Sequence, residues 1–143
     1  MKARIAPPSE LILAYGTPQH TTSVAEIAED LGAEFCEITE KMLDDALSVC
    51  IRQGQRGTAG GNTDFSGDAA IIFHGFTRKR LDEALGKIAV LKIPLKAVVT
   101  QQNQSWTVRT LLSELAKERA YFAAANRQRT GTEKTLHQQS DKE

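Results

Sequence analysis

The chain has 143 residues, 41% hydrophobic and 25% charged, with no net charge, which is the size and composition of one globular domain. Its apolar runs, such as Ala69-Ala70-Ile71-Ile72-Phe73, fall far short of the ~20 residues that span a membrane, and the start of the chain (Met1-Lys2-Ala3-Arg4-Ile5-Ala6-Pro7-Pro8) holds no apolar segment of a secretory signal. The neutral balance argues against strong nonspecific binding to nucleic acid.

Charge is nevertheless uneven. Residues 1–52 carry four Lys/Arg against nine Asp/Glu, and residues 53–143 carry fourteen against nine. Such a split permits a dipolar surface, and with it a charge-steered partner or self-association weakened by salt. Cys36 and Cys50 form no CxxC and have no His at metal-ligand spacing. They read as packed thiols in a reducing, cytoplasmic setting, with neither metal nor cofactor expected.

In chain order, the apolar run 11–15 reads as a buried strand that stops at Gly16-Thr17-Pro18. Ser23 and Glu26 have capping-box spacing, and Val24, Ile27, Ala28 and Leu31 share one helical face that Gly32 ends. Residues 33–38 read as a second strand. Thr39 is placed to cap a helix carrying Leu43, Ala46, Leu47, Cys50 and Ile51. Residues 53–68 contain Gly54, Gly57, Gly60, Gly61 and Gly67. They fit neither GxxxxGK[ST] nor GxGxxG and read as a flexible linker. Residues 69–74 form the clearest strand. Gly75-Phe76-Thr77 is its turn, with Thr77 capping a helix that buries Leu81, Ala84, Leu85 and Ile88. Residues 95–100 are extended. Ser105 or Thr107 caps a last helix burying Val108, Leu111, Leu112, Leu115 and Phe122. Periodicity stops near Arg127, and residues 127–143 are expected to be a disordered tail.

The halves 10–52 and 69–126 look alike. Ile12-Leu13-Ala14-Tyr15-Gly16-Thr17 parallels Ile71-Ile72-Phe73-His74-Gly75-Phe76, and Leu43-Asp44-Asp45-Ala46-Leu47-Ser48 parallels Val108-Arg109-Thr110-Leu111-Leu112-Ser113. The expectation is a single α/β domain over residues 1–126. It is a small three-layer fold with a four-stranded, mostly parallel sheet from two βαβα halves, in the order 2-1-3-4. A switch point between strands one and three would place a ligand crevice at their carboxyl ends.

Phe73-His74-Gly75-Phe76-Thr77, Leu81-Asp82-Glu83, Ile93-Pro94-Leu95-Lys96-Ala97-Val98-Val99-Thr100, Asn103, Trp106-Thr107 and Leu111-Leu112-Ser113-Glu114-Leu115 form a recognisable string. Over about residues 70–116 the chain resembles the bacterial family named domain of unknown function 3783. The resemblance implies a bacterial, cytoplasmic protein and no particular activity. Arg78-Lys79-Arg80 departs from it, since such proteins tend to be acidic there.

Candidate ligand-binding residues follow from the expected crevice. Gly16, Thr17, Gly75, Phe76 and Thr77 would line it. Arg78 and Arg80, in the first turn of a helix, could hold an anion together with free N–H groups, or could simply be a solvated turn. His74 could act as a base or as a half-buried, hydrogen-bonded ring. Lys96 either reaches out from an edge strand as a gatekeeper or points into the crevice. Asn103 and Trp106 precede the last helix, where the indole could stack on a ligand or pack as a staple. No catalytic residue stands out. The expected function is a non-enzymatic protein-binding or regulatory module that works through a protein partner or a homo-oligomer. The alternative is a small-ligand or anion-binding protein, or an enzyme, using the crevice between strands one and three. Nucleic-acid contact through Arg78-Lys79-Arg80, Arg127 and Arg129 is the weakest reading, and no membrane contact is expected.

Overall fold

Four apolar runs become the strands β1 (Leu11–Tyr15), β2 (Glu34–Glu37), β3 (Ala70–His74) and β4 (Leu95–Val98). The computed structural model describes residues 10–63, 65 and 67–140 of the chain. The strands form one sheet in the order β2-β1-β3-β4. β1 pairs with β2 and β3 with β4 in parallel, as expected, but β1 and β3 pair antiparallel, from Leu11 opposite His74 to Tyr15 opposite Ala70.

Helices α1 (Pro18–Leu31) and α3 (Arg78–Ile88) cover one face, and α2 (Leu47–Gln53) and α4 (Val108–Ser140) the other. The alternation of strand side chains makes this possible. Ile12, Ala14, Ile71 and Phe73 point into the α1/α3 core with Val24, Ala28, Ala84 and Ile88. Leu11, Leu13 and Ile72 point the other way, to Leu47, Cys50, Val108 and Leu111. The domain is therefore the expected three-layer α/β fold.

Helix starts correct two expectations. α1 begins at Pro18, with Thr17 as its N-cap accepting from the His20 N–H at 3.2 Å. Pro at the first position has no N–H to leave unsatisfied, so the Ser23–Glu26 pair lies inside the helix. Thr39 opens only a 3-10 turn (Glu40–Met42), and α2 starts later, at Leu47. Gly32 at φ 77° ends α1, and Thr77 caps α3 through the Arg80 N–H, both as expected.

Residues 53–68 are not a free linker where they are described. Arg56 bridges to Cys36, the Gly57 N–H donates to the Phe35 carbonyl at 3.0 Å, and the Asn62 amide donates to the Ile38 carbonyl at 2.7 Å. The segment is a strap. It lies along the outer edge of β2, then passes the carboxyl ends of β2 and β1, with Phe65 stacked edge-on against Tyr15. It enters β3 beside Tyr15. Because the strap runs from the amino end of β2, where Arg56 meets Glu34, to its carboxyl end, where Asn62 meets Ile38, the chain enters β3 at the carboxyl end of β1 and runs against it.

α4 continues as helical backbone through residues 127–140, where the sequence predicts a disordered tail; residues 141–143 lie outside the described residues. Ala123, Ala124 and Ala125 and the Arg, Gln, Glu and Lys residues beyond them are strong helix formers, so local propensity favours helix there.

Candidate functional site

The antiparallel centre separates the residues expected to share a crevice. Gly16 and Thr17 leave the sheet at one end, beside Ala69 and the strap. His74, Gly75, Phe76 and Thr77 leave it at the other, beside Glu10 and Leu11. No single ligand can touch both turns. Gly75 has φ 82°, a left-handed conformation that favours glycine without any close ligand. Phe76 packs edge-on against Phe73, with ring centroids 5.4 Å apart, and His74 is half-buried.

The cationic turn is used internally. Arg80 donates to both Glu10 oxygens, at 2.9 and 2.7 Å, to Glu83 at 3.0 Å and to the Leu31 carbonyl. Its guanidinium thus ties β1, α1 and α3 together. Hydrogen bonding from Arg80 holds the Glu10 carboxyl below its ordinary range. Arg78 and Lys79 remain exposed on the first turn.

The remaining candidates organise the β4 side. Asn103 accepts from the Thr100 N–H at 2.8 Å and donates to the Val98 carbonyl at 3.1 Å, holding the loop after β4. Trp106 packs in the α2/α4 core, and its carbonyl accepts from the Leu47 N–H at 2.8 Å. A matching bond runs from the Val108 N–H to the Asp45 carbonyl at 3.1 Å, around an antiparallel bridge of Ala46 with Thr107. Lys96 is exposed on β4 and donates to the Ile93 carbonyl at 2.9 Å, which is its edge-strand reading.

The two edges of the sheet differ. On β2 the strap occupies the outward-facing groups around Cys36. On β4, Leu95 and Val99 donate inward to Ala69 and Phe73, so Lys96 and Val98 turn their N–H and C=O groups outward. Among the described residues no backbone segment covers them. Val98 is 41% exposed. In the second half α4 continues as helix to Ser140 where the first half turns into the strap. Two turns past Leu115 it carries Tyr121 and Phe122, 69% and 64% exposed and stacked on one another.

At the strap, a cavity of about 530 Å³ is lined by Thr39, Glu40, Lys41, Asn62 and Phe65, among others. The Tyr15 hydroxyl donates to Glu40 at 3.3 Å. Burial, with Glu40 beside it, pushes the Tyr15 phenol above its ordinary value. The buried Glu37 carboxylate accepts from the Gly61 N–H at 2.8 Å. The sequence reading missed this site because it took the segment for a plain linker. Asn62 and Phe65 were the available signal, since a solvated linker has no need of an aromatic residue.

The charge split is also resolved within the chain. Arg56–Glu34, Arg80–Glu10, Lys87–Asp30 and Arg109–Asp44 each join a cation of the second half to a carboxylate of the first.

The fold and these surfaces define a small three-layer α/β domain with one strapped and one open sheet edge. No helix among the described residues is long and apolar enough to cross a membrane. Residues 69–122 match the family model described as a domain of unknown function, DUF3783. The match runs from β3 into α4, so the resemblance seen over residues 70–116 is found over a slightly longer span. Comparison with curated proteins and with solved structures gave no match.

Proposed function

We propose that this chain is a non-enzymatic protein-binding module that associates with a second copy of itself through the open edge of β4, in the reducing cytoplasm of a bacterium. The observation that carries the reading is the difference between the edges: the strap covers β2, whereas among the described residues no backbone segment lies on the outer edge of β4, where the Asn103 side chain takes one bond to the Val98 carbonyl and leaves the Lys96 and Val98 N–H groups outward. An uncovered edge strand is a template for strand addition. Its own sequence suits a second copy. In antiparallel pairing centred on Ala97, Lys96 stands opposite Val98 of the second copy and exchanges both backbone bonds with it. No two lysines meet, and each Val98 is sheltered by a lysine stem. The shared small-ligand crevice between β1 and β3 has no support, because their carboxyl ends lie at opposite ends of the sheet.

Sedimentation of the full chain tests the reading. The Val98 N–H faces outward, so Val98→Pro removes a docking donor and leaves the β3 ladder intact. Val98→Lys sets like charges opposite each other. We expect a reversible dimer for the wild type and for Val98→Thr, and folded monomers for Val98→Pro and Val98→Lys. A wild type that stays monomeric at its highest soluble concentration overturns the proposal, as does a dimer that survives both substitutions.

A further inference from the structure

We propose that the cavity under the strap binds a small zwitterion of the amino-acid class, its ammonium on Glu40, its carboxylate on Lys41 and its side chain against Phe65. The site is independent of the β4 edge.

Three features support a ligand of this kind. The cavity, about 530 Å³, is in the size range of small-molecule sites. It lies beyond the carboxyl ends of the parallel pair β1 and β2, the end of α/β sheets where ligands usually bind. Its wall also presents groups of both signs with capacity to spare. Glu40 accepts from the Tyr15 hydroxyl on one oxygen, and among the described residues nothing is bonded to the other. Among the described residues Lys41 has no ion-pair partner. Asn62 is only 6% exposed and donates its amide to Ile38, and among the described residues its side-chain oxygen has no donor. A buried acceptor gains from a donor, and an ammonium group in the cavity that Asn62 and Glu40 both line would supply one.

An anion alone would face Glu40, and a simple amine would leave Lys41 unused. A molecule carrying both charges a short distance apart uses the pair. The ring of Phe65, held edge-on by Tyr15 at 4.9 Å between centroids, offers an apolar surface to its side chain.

The test is titration of the full chain with three probes, followed by backbone amide shifts. L-leucine carries both charges, leucinamide lacks the carboxylate and 4-methylpentanoate lacks the ammonium. We expect saturable shifts at Glu40, Lys41, Gly61 and Asn62 with L-leucine. Each truncated probe should bind roughly ten-fold more weakly, as loss of one charge-assisted contact predicts. Glu40→Gln and Lys41→Met should weaken L-leucine similarly while leaving the melting temperature unchanged. The three-probe comparison on the wild type stands even if a variant misfolds. The proposal is overturned by L-leucine shifts that never saturate, by equal binding of all three probes, or by shifts that avoid the strap.

Discussion

Leu13 of β1 stands opposite Ile72 of β3 in antiparallel register, at the middle of the central strand pair. Around that pair the halves are related in two-fold fashion: Ile12 faces Phe73, and Ala14 faces Ile71. The exchanged bonds of Leu47 with Trp106 and Val108 with Asp45 repeat the relation one layer away. That two-fold relation is met at Ala46 and Thr107, four residues from where the sequence pairing of Leu43 with Val108 would put it. These halves are held by strand pairing, by two cores and by ion pairs between them.

The first prediction concerns those ion pairs. Arg80→Met should lower the melting temperature by several degrees, whereas Arg78→Ala and Lys79→Ala should leave it nearly unchanged. Arg80 holds Glu10, Glu83 and Leu31, while its two neighbours are exposed. Calorimetry of the three variants decides it. Equal effects would return all three residues to the role of a solvated turn.

The same contact sets a pH dependence. The Glu10 carboxyl is lowered from its ordinary value of 4.5 by Arg80. A lowered folded value means that its stabilisation is fully present above 4.5 and is lost as pH falls through the folded value. Glu10→Gln should therefore be less stable than the wild type at neutral pH, and the gap should close in acid. Chemical denaturation across pH measures it; a gap that widens in acid would reverse the sign.

Two glycines should respond in opposite senses. A Cβ on Gly54 would lie 2.5 Å from both the Cys36 sulfur and the Cys50 carbonyl oxygen, so Gly54→Ala should destabilise by about 1–3 kcal/mol, as overpacking does. A Cβ on Gly86 of α3 meets nothing within 4 Å, so Gly86→Ala should stabilise by about 0.5–1 kcal/mol, as it does in a helix interior. Urea midpoints of the two variants should move in opposite directions.

Both thiols should be inert in the folded chain. Burial raises the Cys36 thiol and pushes Cys50 up to about 11, so neither is a thiolate near neutral pH. Alkylation should be slow in the native state and rapid in denaturant. Fast modification of either residue without unfolding would show a more open α2 side than the structure has.

Salt should act on folding more than on association. Cations of the second half already meet carboxylates of the first inside one molecule, and a β4 pairing rests on backbone bonds. Raising salt should lower the melting temperature slightly and leave the dimer intact. Dissociation by salt alone would favour the charge-steered association that composition suggests.

Local chemistry made much of this fold legible in the sequence. Apolar runs of strand length marked β1, β3 and β4. Thr77 and Gly32 marked helix ends, and the 3.6-residue spacing of Leu81, Ala84, Leu85 and Ile88 marked a buried face, because these signals act over a few residues of chain. The strand order followed from pairing two similar halves. The direction of β3 against β1 did not, because it depends on where the strap from residues 53–68 travels. That path is decided by contacts such as Gly57 with Phe35 and Asn62 with Ile38, between residues more than twenty positions apart. The same long-range geometry separated Gly16 from Gly75, drew Arg80 onto Glu10, closed the β2 edge and left β4 open. None of these is written in composition or periodicity, because each depends on which distant groups the folded chain brings within hydrogen-bonding reach.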